Sequence, residues 1–262
     1  MSVVNNSNQR AQPQCARAMI LSTPKALAIL VLLVLVMTYR PADAASLGGL
    51  VPQNLTAVTT PAATGASTVI AWENFNGANG TNLNGTVTDG GTKTWAVNPA
   101  GGSWTIQSNR ARSTTANSSL VVNAGVFTHS VEATLLRNGA TTFDAGLTIN
   151  RNASGNRFLT VEWTSTSNGS LELWRFNGSW TQVGGVTNLY PGGIATAPAS
   201  IVLRLTSSAT ALSASINGVV VASYTFTAAD ITNFKVATQQ LAGPYQWTSN
   251  GIGFEDLHVD NP

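Results

Sequence analysis

From Thr68 onward the chain is built of short runs in which apolar and polar residues alternate. "HSVEATLLR" sets Val131, Ala133 and Leu135 at every second position; "RFLTVEWTS" does the same with Leu159, Val161 and Trp163. "SLELWRF" contributes Leu171 and Leu173, and "IVLRLT" contributes Ile201, Leu203 and Leu205. Side chains of an extended chain point alternately to opposite faces, so each run is predicted to be a half-buried strand. Between the runs stand Asn138-Gly139, Asn168-Gly169, Asn177-Gly178 and Asn217-Gly218, pairs that accept the positive φ of tight hairpin turns. The one helical signal is "TAADITNF", where Thr227 and Asp230 have capping-box spacing for a single turn. About a dozen strands at this spacing predict an all-β domain: a two-sheet antiparallel sandwich, in which packed inner faces bury the apolar surface.

The texture before Thr68 is different. Residues 45–67, "ASLGGLVPQNLTAVTTPAATGAS", are small and polar without periodicity and are read as a linker. Residues 1–44 have a basic stretch to Lys25, the apolar run "ALAILVLLVLVM" and the small tripeptide Ala42, Asp43, Ala44, the layout of a secretory signal peptide cleaved after Ala44. As a helix the twelve apolar residues would reach roughly 18 Å, short of the about 30 Å of hydrocarbon that a spanning segment crosses. Cleavage without stable membrane insertion is therefore expected over retention as an anchor. Residues 68–262 then form one domain of a secreted or cell-surface product.

This partition changes the charge. Charged residues are only 9% of the chain, against about 25% in ordinary soluble domains, so solubility rests on Asn, Ser, Thr and Gly. The formal +2 includes Arg10, Arg17, Lys25 and Arg40 of the leader; without them and Asp43, 9 basic and 10 acidic residues remain. No basic stripe is left to neutralise phosphates, which argues against nucleic acid as a partner. Cys15 also lies in the leader, so the exported domain is expected to stand without disulfides.

"IAWENFNGANGTNLNG", followed by Trp95, "GGSWTI" and "NRAR", resembles the opening of bacterial LamG-like domains of the concanavalin A-like lectin/glucanase superfamily. "FDAGLTINRNASGNRFLTVEW", "LELWRFNGSW", "IVLRLT" and "ASINGVVVASY" are similar to that family's successive strands, and "GIGFEDLHV" to its closing strand. The resemblance implies a jelly roll whose first and last strands pair, with residues 69–75 against 253–259 and Phe254, Leu257 and Val259 as apolar anchors.

Hydrolases of that superfamily carry carboxylates on one strand in a pattern like E-x-D-x-x-E, because a retaining mechanism needs two of them about 5 Å apart. Here "LTVEWTS" has Glu162 alone and "LELW" has Glu172 alone. The two can meet across the hairpin as an alternative catalytic pair, but two solvent-facing carboxylates are the expectation. His129 and His258 are the only histidines and no G-x-S-x-G occurs, which argues against a serine triad or a zinc site. Asp256 and His258 read as an exposed polar pair.

For calcium, which takes carboxylate and amide oxygens, Glu73, Asn74, Asn76 and Asn79 lie next to the strand expected to carry Glu255 and Asp256. A structural calcium held by Glu73, Asn76, Asn79 and Asp256 is the metal expectation; the alternative is an Asn-Gly turn bonding its own backbone.

Among the tryptophans, Trp72, Trp95, Trp104 and Trp163 are expected in the core. Trp174 falls opposite Leu171 and Leu173, Trp180 follows an Asn-Gly turn, and "AGPYQWTSNG" reads as a loop holding Tyr245 and Trp247. Exposed flat rings suit the apolar faces of sugars, with polar neighbours bonding hydroxyls. Trp174, Arg175, Trp180, Tyr245, Gln246 and Trp247 thus form the predicted glycan-binding group of a non-catalytic binding or adhesion module. The rivals are a glycoside-active enzyme and a structural spacer.

Overall fold

The computed structural model describes residues 67–99, 102–248 and 251–262; the predicted signal peptide and all of the linker but Ser67 lie outside them. Two antiparallel sheets account for nearly all of the regular structure. The first runs β13 (Val219–Thr225), β12 (Ala211–Ile216), β11 (Ser200–Ser207), β6 (His129–Leu136), β15 (Gly253–Asn261), β4 (Ala111–Ser113) and β3 (Trp104–Ile106), with β1 (Thr68–Glu73) also paired to β15. The second runs β10 (Trp180–Val186), β9 (Ser170–Asn177), β8 (Arg157–Thr164), β7 (Asp144–Arg151), β14 (Leu241–Gln246), β5 (Ser118–Asn123) and β2 (Ala96–Asn98).

Alternation builds the core between them. Val131, Ala133, Leu135, Ile201, Leu203 and Leu205 from the first sheet meet Leu159, Val161, Trp163, Leu171 and Leu173 from the second in one buried cluster. Every apolar position picked out by the period of two faces inward. The first and last strands pair as expected: Trp72 lies opposite His258 and Glu73 opposite Leu257. The one α-helix among the described residues, α1 (Ala228–Phe234), opens with the predicted capping box. Thr227 accepts from the Asp230 N–H while the Asp230 carboxylate accepts from the Thr227 N–H.

Four local expectations are corrected. β8 is buried on both faces rather than half buried, because its outward side chains are covered by aromatic residues of neighbouring strands. Asn138-Gly139 joins β6 to β7, which belong to different sheets, so it turns a crossover and not a hairpin. Trp72 is 38% exposed, because Ala71 and Glu73 take the inward positions of β1. Asp256 sits at φ 47° where the β15 register slips between Glu255 and His258. The bulge lets Phe254, Leu257 and Val259 all point inward, and it breaks the simple pairing of Asp256 with His258.

Candidate functional site

The outer face of the second sheet collects the chemistry. On β8 the inward set Leu159, Val161 and Trp163 leaves Phe158, Thr160 and Glu162 outward; on β9, Leu171 and Leu173 inward leave Glu172, Trp174 and Phe176 outward. Antiparallel register then places Glu162 directly opposite Glu172 and Thr160 opposite Trp174. On the other side of β8, Gly146 of β7 lies opposite Glu162, with Asp144 two residues before it. Trp180 of β10 lies opposite Phe176, and Trp247 follows β14, whose Tyr245 lies opposite Gly146. Asp144, Glu162, Glu172, Trp174, Trp180 and Trp247 consequently line one cleft of about 290 Å³.

Gly146 is needed where it stands. A Cβ there would come 1.7 Å from the Val161 carbonyl oxygen, so only glycine lets β7 approach β8 so closely beside Glu162.

The rings support one another. Trp180 is at the centre, 5.0 Å from Trp247 at 88° and 6.1 Å from Trp174 at 90° between planes. Its other ring neighbours are Phe158 at 5.3 Å, Phe176 at 5.0 Å and Tyr245 at 6.5 Å. Edge-to-face contacts of this kind satisfy the ring quadrupoles and fix the planes. The Arg151 guanidinium lies 4.0 Å from the centre of the Phe158 ring and donates to Asn98, so its charge is engaged away from the acids.

The acids are held unequally. Glu172 accepts from the Trp174 indole N–H at 3.1 Å and, through its other oxygen, from the Thr166 hydroxyl at 3.5 Å. Glu162 is 6% exposed, and neither its Oε1 nor the Asp144 Oδ1 has a hydrogen-bond partner. Burial, and then the negative charges of Asp144 and Glu172, push the Glu162 carboxyl well above the ordinary range. Burial and the Glu172 charge push Asp144 up to about 7, with a hydrogen bond from Glu162 working against them. Glu162 therefore holds its proton to higher pH than an ordinary carboxyl group, and it titrates together with Asp144, to which it is hydrogen-bonded.

The structure brings Trp174, Trp180 and Trp247 together and gathers Glu162 and Glu172 into the same place. The expectation that both acids face solvent is corrected for Glu162, which the aromatic cover buries. Tyr245 and Gln246 lie in β14 and not in a loop, and both are fully buried. Tyr245 packs beside Trp180 and Trp247 and donates its hydroxyl to Asn117 Oδ1, forming part of the cleft's support. Gln246 has the opposite parity to Tyr245 and donates to the carbonyls of Asp144 and Thr248. Arg175 shares the parity of Leu173, turns away from the cleft and pairs with Asp230 at 2.7 Å. Asp144 was missed. Its signal was available in "DAGLTIN", where Ala145, Leu147 and Ile149 alternate with it and are buried.

The four predicted calcium ligands are dispersed in role. Glu73 is buried and accepts from the Phe75 N–H and the Trp95 indole, and Asn79 accepts from the Ser108 N–H. Asp256 is exposed on the bulge. Glu73 and Asn76 do line one cavity of about 330 Å³ with Asp89. Among the described residues no group of three or more His, Cys, Asp or Glu side chains is arranged to hold a metal.

No family model matches the chain, and no curated protein does. Solved structures similar to it include the carbohydrate-binding module CBM66 from Bacillus subtilis, at 9% identity and a TM-score of 0.43 over 63% of this chain and 89% of that one. A protein of unknown function with a galectin-like fold from Bacillus subtilis aligns at 13% identity and 0.47 over 70% and 97%. A galectin of Caenorhabditis elegans aligns at 13% and 0.39 over 54% and 89%. These are distant likenesses of shape, and what the cleft can do rests on its own residues.

Proposed function

We propose that the domain is a carbohydrate-binding module that receives a sugar in the cleft between Trp174, Trp180 and Trp247. The observation that carries this reading is the convergence of three partly exposed indoles on one 290 Å³ cleft with carboxyl groups at its base. Apolar sugar faces stack on such rings while the acids accept from hydroxyls. A glycan array followed by W174A, W180A and W247A tests it: each substitution is expected to weaken retention of the bound glycan by at least about tenfold. Unchanged retention in all three would remove the reading.

A second reading, glycoside hydrolysis, is favoured by the facing register of Glu162 and Glu172 and by the raised pKa of Glu162. Directly opposed residues have Cβ atoms about 4.5–5.5 Å apart, and a protonated acid beside a second carboxylate is the pair that glycosidic cleavage requires. Release of reducing ends by the wild type and its loss in E162Q would support it. Binding without turnover in both would leave the module non-catalytic.

The leader supports an exported product, tested by sequencing its amino terminus for a start at Ala45, and the resemblance of the strands after Thr68 supports a LamG-like jelly-roll module of a bacterial surface or secretion. The calcium expectation narrows to Glu73 and Asn76 with Asp89. Melting with millimolar calcium and with chelator tests it, and equal midpoints would remove the ion.

A further inference from the structure

The cleft has an unbalanced charge. Three of its six lining side chains are carboxyl groups, and none is Lys, Arg or His. The cations nearby are committed elsewhere: Arg175 to Asp230 on the other face of the sheet, Arg151 to Asn98 and the Phe158 ring. The remaining ion pairs among the described residues join Arg110 to Glu255, and Arg204 to Glu132 and Asp260, all on the first sheet or its edge. The protein thus gathers acids in a partly enclosed place and supplies no counter-charge.

A second observation points to a ligand. Glu162 is more than nine-tenths buried, lines the cleft, and has an oxygen with no donor; Asp144 has another. Buried polar atoms in folded proteins almost always find a partner; beyond the bond between Glu162 and Asp144 the described residues supply none to these two oxygens, and a donor bound in the cleft would add one. A bare metal ion fits poorly, since these three acids are not arranged as a metal-binding group. An N–H-rich organic cation fits well. Its charge would be opposed by Glu172 and by the Asp144–Glu162 pair, its N–H groups would meet the lone pairs that these acids leave unused, and the perpendicular indoles of Trp180 with Trp174 and Trp247 offer ring faces to it.

We propose that the ligand is an amino sugar bearing a free, protonated amine, as in the de-N-acetylated stretches of a hexosamine polymer. This rests on the reading of the cleft as a sugar site and narrows it to one sugar class. N-acetylation removes the charge and adds bulk while leaving the sugar ring intact, so comparing the two forms isolates the amine.

The test is calorimetric titration of the protein with tri- and tetrasaccharides of glucosamine, of N-acetylglucosamine, and of glucose, at a pH where the free amine is protonated. The free-amine oligomers are expected to bind at least about tenfold more tightly than the other two, the effect of one well-placed charge-assisted contact. Raising the salt from low to about 0.5 M should erode that preference and leave the weaker binding of the neutral oligomers in place. E172Q, which keeps the shape of the side chain and removes its charge, should lose the preference for the free amine. Equal affinity for all three oligomers, or tighter binding of the acetylated or neutral ones, overturns the inference and leaves the sugar site standing. Failure of every oligosaccharide to bind overturns the sugar site itself. A free-amine preference that survives in E172Q and W180A places the amine outside the cleft and also overturns the inference.

Discussion

Replacing Asp144 by Asn separates the electrostatics of the cleft from its shape. Burial, and then the Glu172 charge, hold the Asp144 carboxyl at about 7 in place of its ordinary 3.8. Between those pH values the folded chain keeps a proton that the unfolded chain has released. Stability falls with rising pH wherever the folded state binds more protons, so this contribution is complete below about pH 4 and gone by about pH 8. At 1.36 kcal/mol per pH unit the displacement is worth about 4 kcal/mol. Asp144 is only partly enclosed, and solvent screening reduces the figure to about 2–3 kcal/mol. Asn keeps the volume and loses the titration. D144N is therefore expected to match the wild type within about 1 kcal/mol at pH 4 and to exceed it by about 2–3 kcal/mol at pH 8. Removing the Asp144 charge also relieves Glu162, which acts in the same direction. The comparison must be between the two proteins and not along one curve. His129, lowered to about 3 by burial and the nearby Lys235 charge, makes both chains gain stability between about pH 3 and 6.5. Urea unfolding followed by tryptophan fluorescence at several pH values reads the difference directly. A gap between variant and wild type that does not widen from pH 4 to pH 8 would refute the coupled titration of the cleft's buried acids.

Further consequences follow for the packing and for the other buried charges. W180A removes the ring on which five aromatic neighbours converge and should cost about 2–3 kcal/mol of unfolding free energy by chemical denaturation; a loss under about 0.5 kcal/mol would mean the rings do not support one another. D230A strips the cap of α1 and leaves Tyr224 and Arg175 without their partner, which should cost about 2–4 kcal/mol. Burial raises the Asp230 carboxyl, but the bonds from Tyr224, Thr227 and Arg175 outweigh it and hold its pKa below the ordinary value. The wild type should therefore lose stability as pH falls below about 4 by an amount absent in D230N, read from acid unfolding curves of the two. Burial lowers Lys235 from 10.5 to about 7, so the folded chain holds fewer protons than the unfolded one above pH 7. Wild-type stability should climb between about pH 7 and 10, and K235M should flatten that limb in urea titrations.

Much of the architecture was legible because it follows from local rules. A period of two decides which residues face the core, and an Asn-Gly pair decides where a strand turns back; Leu159, Val161, Leu171, Leu173 and the hairpin at Asn217-Gly218 all obey. The capping box of Thr227 and Asp230 is equally local. What could not be read was the neighbourhood of each outward residue. Arg175 and Trp174 are adjacent in sequence and lie on opposite faces, so proximity in the chain misled. Gly243 and Pro244 punctuate the run before Tyr245 and Gln246, a pattern that reads as a loop. In the structure Gly243 makes a close approach, where a Cβ would stand 2.0 Å from the Leu120 carbonyl oxygen, and the strand continues through it. Asp144 was overlooked because its significance comes from Glu162 on the next strand.

The departures from the local rules mark the site. Most strands of this sandwich present one apolar and one polar face, which is enough to make two sheets adhere. The central strands of the second sheet, β5, β7, β8 and β14, are buried on both faces, and among them β8 buries Glu162 with Phe158 and Thr160 on the side that alternation turns outward. Burying an acid there costs stability above neutral pH, and the partner it finds from within is a second acid, Asp144. Sequences tend to break the rules of foldability where a site demands it, and here the break coincides with a gap in the aromatic cover. Three indoles, two of them edge to face with Trp180, stand around an opening at whose edge Glu162 is buried. A structural spacer would have no use for a buried acid at the foot of a ringed cleft; a domain that takes hold of a polar ligand has need of both.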